Sequence, residues 1–427
     1  MFQKSVTGFR WKSRIAVWQQ VDWLLLAVVV GLTIFGGVMI RSAELNQGLT
    51  DWWQHWLIGA IGLVIALFLS RSRYEKLLQW HWIIYGLTNL SLVAVIVIGS
   101  SAKGAQRWIS IGGFNLQPSE FAKVGVIITL AAILHTRTAS TLPAFGKALA
   151  VTAVPWLLVF IQPDLGTSLV FGAITLGMLY WANANPGWLL LLVSPIVSAI
   201  LFNVFLDSWI FLDRDSWIIC VWAAIVAAVA WFSLPWSWYG AVGAVIANFV
   251  SGQLGHIFWG LLKDYQKDRL ILFLDPAKDP LGGGYHLIQS RIAIGAGGFW
   301  GKGLNQGSQT QLNFIPEQHT DFIFSAIGEE LGLIGCLGLL LVFWLLCWRL
   351  IMIAQSSKDN FGSLLAIGVL SMIVFQLIVN IGMTIGLAPV TGIPLPWISY
   401  GRSALLTNFI ALGIVESVAN YRQRLKF

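Results

Sequence analysis

The stretch "VDWLLLAVVVGLTIFGGVMIR", residues 21–41, is almost entirely apolar and is long enough to cross a lipid bilayer as one helix. Comparable apolar runs recur along the 427-residue chain, which is 57% hydrophobic and only 11% charged. Its mean hydropathy is +0.75, and a soluble protein does not need so high a value to form its core. The sequence therefore predicts an all-α, polytopic integral membrane protein.

Apolar windows recur often enough to predict about twelve transmembrane helices. They lie near residues 21–41, 53–70, 80–100, 119–136, 146–162, 165–183, 187–206, 216–234, 238–262, 322–348, 362–385 and 401–420. The prediction divides the chain into a first membrane part over 21–262, an outer stretch over 263–321, and three final helices over 322–420.

The distribution of Lys and Arg predicts the orientation, because these residues accumulate in the cytoplasmic segments of membrane proteins. Segment 1–20 is basic, and the apolar run that follows it has no cleavage site. We therefore expect this apolar run to be a retained membrane anchor and the amino terminus to be cytoplasmic. The tail 421–427 is then cytoplasmic as well, and the expected location is the inner (cytoplasmic) membrane. The net charge of +7 lies in short segments between apolar runs, which favours an anionic lipid surface and excludes nucleic acid as a partner.

The outer stretch 263–321 is too long for a structureless loop. Within it, "GYHLIQSRIAIGAGGFW" predicts a short amphipathic helix at the membrane interface, with Leu287, Ile288 and Ile292 on its apolar side. "AGGFWGKG" (296–303) looks like a P-loop but lacks the first glycine and the final Ser or Thr, so no nucleotide site is predicted. The six histidines show no ligand-like spacing, so no dedicated metal site is predicted either.

Charged residues occur at the start of three predicted membrane helices. Glu120 and Lys123 lie three residues apart after a helix-starting proline, either as a salt bridge that locks two helices or as a charged wall for an anionic headgroup. Asp164 follows Pro163 and is expected to cap the next helix. The loop "GLAPVTGIPLPWISYGRSALL" (386–406) is expected to form a cavity wall, since irregular backbone at membrane depth must be buried in protein or line a cavity.

The third predicted helix start with charged residues is "NFIPEQHTDFIFSAIGEELG" (313–332). Thr320 is a candidate N-cap, and Asp321 would then lie in the first helical turn, where its charge complements the helix dipole. Capping does not account for Glu317, His319 and Glu329 nearby, so we expect these side chains to form an outward-opening polar cavity with Asp321.

Three motifs resemble the SEDS family (shape, elongation, division and sporulation), and more closely its elongation member than its division member. They are "GAQRWI…QPSEFAK", "YHLIQSRIAIGAGGFWGKG…FIPEQHTDFIFSAIGEELG" and "VNIGMTIGLAPVTGIPLPWISYG", and the resemblance covers about residues 20 to 420. It implies a peptidoglycan glycosyltransferase that polymerises lipid II on the outer face. It also implies a class B penicillin-binding protein as partner, together with other membrane proteins of the elongation complex.

The resemblance assigns roles to individual residues. Asp321 matches the family's essential aspartate, the proposed base, while Asp164, Glu317 and Thr320 are expected to be structural or capping residues. The residues predicted to bind substrate are Arg107, Trp108, Glu120, Lys123, Gln289, Lys302 and His319, of which the first four are assigned by the resemblance. The chain departs from the family pattern in two places: a helix pair is added within 187–262, and Arg402 stands where a glycine is usual.

The expected chemistry needs one base and several cations. Lipid II carries a diphosphate, a good leaving group, so Asp321 would deprotonate the acceptor 4-hydroxyl while Arg107 and Lys123 stabilise the diphosphate. No cofactor is certain, although a divalent cation (Mg²⁺ or Mn²⁺) could share the second role. Three alternatives remain at this point: a lipid II flippase or transporter, a division-specific polymerase, and a non-catalytic scaffold.

Overall fold

A computed structural model describes residues 21–46, 51–102, 105–111, 114–205, 216–261, 267, 272–273, 279 and 284–422. The first helices are α1 Trp23–Glu44, α2 Asp51–Arg71, α3 Glu75–Ile98, α4 Pro118–Thr136, α5 Leu142–Ile161, α6 Leu165–Trp181, α7 Pro186–Phe205, α8 Ser216–Ser233 and α9 Ser237–Leu261. They are followed by α10 Tyr285–Gly297, α11 Ser308–Gln311, α12 Ile323–Gln355, α13 Asn360–Ile385 and α14 Arg402–Asn420. Segment 1–20 and most of the tail 421–427 lie outside the described residues.

The prediction of a helical, polytopic membrane protein is confirmed. A long helix is present at each of the predicted apolar windows, and eight of them combine the length and hydropathy needed to cross a membrane. The number of helices that do cross the membrane stays a prediction.

A small antiparallel sheet was not predicted. Strands β1 Ser100–Ala102, β2 Ala105–Ile111 and β3 Phe114–Leu116 pair in the order β1-β2-β3 between α3 and α4. Two of the strands are only three residues long, too short for a period-two pattern to stand out from a loop. The sheet carries Arg107 and Trp108 to the mouth of α4.

The protein core surrounds α4 and α14, whose residues are mostly buried. The backbones of α2 and α14 approach closely where Gly413 lies, since a Cβ on that glycine would come within 2.7 Å of the Ala66 Cα. At the end of the bundle where α1 begins, Asp22 caps α1 by accepting from Leu25 N and forms an ion pair with Arg349. The Asp22 N–H donates to Glu416 on α14, so this network joins three helices.

Helix α12 is broken at Gly332, which has φ +65° and ψ −164°. The glycine-rich segment 298–303 fits into this break, with Lys302 N donating to Glu329 O and Leu333 N donating to Gly298 O. A Cβ on Gly332 would lie 2.3 Å from the Gly301 N, so the contact requires glycine. The segment that resembles a P-loop is therefore used to satisfy the backbone of an interrupted helix.

Helix α10 is the predicted helix of the outer stretch, and one of its faces is buried against the protein. Leu287, Ser290, Ala293 and Gly297 are buried, and the helix packs against α12. Ile292, which belongs to the predicted apolar side, is 46% exposed, as expected for a residue that faces the membrane interface. The small residues decide the packing because they allow α10 to come close to α12.

Helices α7, α8 and α9 pack mainly against one another. Their shared polar centre is Asn248, whose amide donates to Ser194 while its carbonyl accepts from Ser198. Three helices are present where the sequence predicts one plus an inserted pair, and the identification of two of them as an insertion stays a prediction.

Candidate active site

A cavity of about 910 Å³ lies where the three predicted helix starts and the loop 386–406 meet. Its wall combines the start of α2, strand β2, the starts of α4 and α6, the loop before α12 and the loop between α13 and α14. The polar and charged side chains that line it include Asp51, Arg107, Trp108, Gln117, Glu120, Lys123, Asp164, His286, Glu317, Thr320, Asp321, Tyr400 and Arg402. The segments predicted to share one face of the membrane therefore do come together.

Lys123 and Glu120 form a salt bridge inside the cavity wall. The Lys123 Nζ lies 2.7 Å from Glu120 Oε2, and Lys123 is only 1% exposed. Both residues belong to α4, so the pair does not lock two helices together as one of the predicted alternatives required. A buried ammonium that lines the cavity is a candidate ligand for an anion, held in place by its carboxylate partner.

Arg107 and Asp164 form a second cation–carboxylate pair, with 3.7 Å between Arg107 Nη1 and Asp164 Oδ1. Arg107 also donates to the Pro163 carbonyl. Asp164 is the N-cap of α6, as predicted, and accepts from the Thr167 N–H and hydroxyl and from the Gln117 amide. The satisfied Asp164 therefore holds the Arg107 guanidinium at the cavity.

Asp321 lies in a turn before α12, not in its first turn. The helix begins at Ile323 and has Phe322 at its N-cap position without a side-chain cap, so the prediction of Thr320 as N-cap is wrong. The Thr320 hydroxyl donates instead to Glu317, a residue with the left-handed φ of +54°. The tight turn at Glu317 therefore places Asp321 before the first residue of the helix.

Four hydrogen bonds fix the Asp321 segment. The buried Gln318 amide donates to Ala43 O at 2.6 Å and Thr310 O at 3.0 Å, and Tyr400 N donates to His319 O at 3.0 Å. The Asn380 amide donates to the Asp321 carbonyl at 2.9 Å. Gly392 closes the loop beside the carboxylate, since a Cβ there would lie 3.4 Å from Asp321 Oδ2.

Glu329 does not share the cavity with Asp321, which corrects the prediction that all acids of this segment gather at one mouth. It is completely buried and accepts from Thr310, from Gln309 N and from Lys302 Nζ at 3.0 Å. Lys302 was predicted to bind substrate, but its ammonium pairs with Glu329, and neither residue is among the described residues that line the cavity. This pair stabilises the loop that fills the break in α12.

Two further predicted binding residues lie outside the cavity lining formed by the described residues: Gln289 on α10, and His319. The His319 ring lies 5.9 Å from the Tyr400 ring, beside the junction of α1 and α2.

Arg402 and Tyr400 are cavity residues that the resemblance did not assign. The Arg402 Nε donates to the Tyr400 hydroxyl at 2.8 Å, and that hydroxyl donates to Gln54 Oε1 at 3.2 Å. Burial raises the pKa of Tyr400, and the hydrogen bond from Arg402 opposes this shift. The residue that replaces the usual glycine thus brings a guanidinium to the cavity.

A family model for the cell cycle proteins FtsW, RodA and SpoVE matches residues 22–219 and 209–424. The chain belongs to this family. Peptidoglycan glycosyltransferase MrdB of Escherichia coli K12 is 36% identical over 414 residues, covering 96% of each chain. Peptidoglycan glycosyltransferase RodA of Treponema pallidum is 36% identical over 432 residues, covering 94% of this chain and 98% of the relative.

Solved structures agree with the fold of this FtsW/RodA/SpoVE family member. A chain from a study of "polymerization and crosslinking by a peptidoglycan synthase complex" is 29% identical, with a TM-score of 0.67, covering 94% of this chain and 98% of that one. The Thermus thermophilus rod shape determining protein RodA is 23% identical, with a TM-score of 0.60, covering 95% of this chain and 98% of that one.

The cavity of this family member is lined by more carboxylates than cations. Among the described lining residues, five carboxylates face three cations. The carboxylates are Asp51, Glu120, Asp164, Glu317 and Asp321, and the cations are Arg107, Lys123 and Arg402. An anionic ligand would therefore depend on where the cations lie and on any further positive charge that the wall can hold.

Proposed function

We propose that this protein is a peptidoglycan glycosyltransferase that polymerises lipid II into glycan strands during cell elongation. The observation that carries the proposal is Asp321, fixed in a cavity with Arg107 and Lys123. It is supported by 36% identity, over nearly the full length, to two proteins named as peptidoglycan glycosyltransferases. Relatives named FtsW are 30–32% identical, which favours elongation over a division-specific role.

The cavity is proposed to open at the outer face of the cytoplasmic membrane. The ends of α2 and α12 that carry Arg71 and Arg349 lie at the opposite end of the helices from Asp51 and Asp321. Because Lys and Arg favour the cytoplasmic side, this distribution supports cytoplasmic termini and an outer cavity. Lipid II would then enter from the membrane with its sugars in the cavity.

Asp321 serves as general base in the proposed mechanism. The 4-hydroxyl oxygen of the acceptor GlcNAc attacks C1 of the donor MurNAc, and the C1–O bond to undecaprenyl diphosphate breaks with inversion. Asp321 accepts the hydroxyl proton, a contribution of roughly 10²–10⁴-fold in rate for a positioned base. A second carboxylic acid for leaving-group protonation, as in glycosidases, is unnecessary because the diphosphate leaves as a stable anion.

Arg107 and Lys123 are proposed to bind the diphosphate as charge develops on it. Each is held by a carboxylate, Asp164 and Glu120 respectively, so neither cation must reorganise during the reaction. Preorganised charges in a partly dry site stabilise a developing anion more than mobile charges in water do. The two carboxylate partners are assigned to positioning and not to proton transfer.

A class B penicillin-binding protein is the proposed partner, together with other elongation-complex membrane proteins. The similar solved chain described for a synthase complex that couples polymerization to crosslinking supports this pairing. Crosslinking needs a transpeptidase, and the cavity described above offers no second catalytic centre for that reaction among its described lining residues.

Polymerisation by the purified protein, with and without a partner that has only transpeptidase activity, tests the proposal. We expect glycan strands from lipid II and no transfer of labelled lipid II between the leaflets of a vesicle. Leaflet transfer without polymer would favour the flippase, whereas neither activity from the folded protein and its partner would favour a scaffold.

A further inference from the structure

A second cluster of titratable side chains lies next to the Asp321 turn. Glu44 ends α1, Asp51 begins α2, and His319 precedes Asp321 by two residues. One potential ligand atom from each of Glu44, Asp51 and His319 lies within 4.8 Å of the other two. Two ligands on opposite sides of a metal at about 2.1 Å are about 4.2 Å apart, so small side-chain rotations would suffice for coordination.

Glu44 supplies an independent observation that points to a ligand in this cluster. The residue is only 1% exposed, and its Oε2 accepts from the N–H groups of Asp51 at 3.0 Å and Trp52 at 3.2 Å. Its other oxygen, Oε1, is buried and receives no hydrogen bond from any described residue. A buried carboxylate oxygen without a donor is costly unless a cation or water satisfies it.

The donor set selects a class of metal ion. Two carboxylates and one imidazole suit ions such as Mn²⁺ and Zn²⁺, while Mg²⁺ prefers oxygen ligands alone. The carboxylates also supply the negative charge that a divalent cation needs. Local sequence spacing could not reveal this site, because its acids come from the junction of α1 and α2 and its histidine from the loop before α12.

We propose that Glu44, Asp51 and His319 bind a single divalent transition-metal ion. Asp51 lines the cavity, so the ion would add positive charge to a wall in which carboxylates outnumber cations. It would also tie the ends of α1 and α2 to the Asp321 turn. Binding of the ion does not require the proposed polymerase activity, so the two hypotheses can fail separately.

Mn²⁺ binding to the full-length protein in detergent tests the proposal, with loss of the free-ion electron paramagnetic resonance signal as readout. We expect one Mn²⁺ per chain, displaced by Zn²⁺, which binds such sites more tightly. Glu44→Gln, Asp51→Asn and His319→Gln should each weaken binding by at least about tenfold. Glu75→Gln is the matched control and should bind like the wild type. Glu75 is the first residue of α3 and lies just after the end of α2, at the opposite end of α2 from Asp51.

A second readout needs no variant. If His319 is a ligand, pulsed resonance of Mn²⁺ in the wild-type protein will show coupling to an imidazole nitrogen. Absence of binding up to about 1 mM Mn²⁺, absence of nitrogen coupling, or unchanged affinity in the three folded ligand variants would overturn the proposal. In that case the cluster is a hydrogen-bond network only.

Discussion

The side-chain amide of Asn380 on α13 donates to the backbone carbonyl of Asp321 at 2.9 Å. It also donates to the Ile393 carbonyl at 2.8 Å, so one buried amide joins the turn that holds Asp321 to the loop 386–406. Asn380 therefore positions the proposed base without contacting substrate.

Asn380→Leu should lower the polymerisation rate at saturating lipid II by at least about tenfold, because Asp321 loses the hydrogen bond that positions it. The carbonyls of Asp321 and Ile393 both lose their donor, and each unsatisfied buried group costs about 1–3 kcal/mol. Gln376→Leu is the matched control: it removes another buried amide one turn earlier on α13. Equal rates in the two variants, measured by glycan-strand formation, would show that Asn380 does not position Asp321.

The Lys123–Glu120 pair can be tested for a role beyond stability. Lys123→Met leaves a buried carboxylate unpaired, which should cost about 3–5 kcal/mol and lower the melting temperature. Adding Glu120→Gln should restore most of that stability but no polymerisation, since the ammonium for the diphosphate is still absent. A double variant that polymerises like the wild type would reduce the pair to a structural salt bridge.

Arg402 should contribute to substrate affinity, because its guanidinium lines the cavity beside Tyr400. We expect Arg402→Gln to raise KM for lipid II about tenfold, the effect of losing one charge-assisted contact, while Arg402→Lys keeps most of the affinity. Arg73→Gln, a change of an exposed arginine outside the cavity, serves as control. An unchanged KM in Arg402→Gln would limit this residue to holding Tyr400.

Close packing of α10 on α12 should depend on Gly297. A Cβ there would lie 1.9 Å from the Gly328 carbonyl oxygen, whereas a Cβ on Gly295 of the same helix would meet nothing within 4 Å. Gly297→Ala should therefore lower the free energy of unfolding by about 1–3 kcal/mol, as overpacking does. Gly295→Ala should leave it unchanged or raise it by up to about 1 kcal/mol. The same shift in melting temperature for both variants would contradict the observed packing.

The sequence predicted the helices well because hydropathy is a local property. Each predicted window contains a long helix, and the helix Tyr285–Gly297 was also expected. The break at Gly332 was missed because the residues that satisfy it lie in the segment 298–303. The close packing of α10 on α12 was not predicted, because the contact is made by the small residues Ser290, Ala293 and Gly297.

The site was predictable in part for a similar reason. Lys123 and Asp321 stand out because they are charged residues in apolar surroundings, and both line the cavity. Lys302 was also predicted to bind substrate, yet it pairs with Glu329. Positioning residues such as Gln318 gave no signal, because its partner Ala43 is 275 residues away along the chain.

The assignment of Asp321 as the base is tested most directly by single substitutions of the two acids in its turn. Glu317→Gln changes the neighbouring acid of the same cavity, and Asp321→Asn keeps the size of the side chain but cannot accept the proton. With both proteins folded and lipid II as substrate, Asp321→Asn should form no glycan strands, whereas Glu317→Gln should keep activity within about tenfold of the wild type. Glycan strands from Asp321→Asn at the wild-type rate would contradict the account.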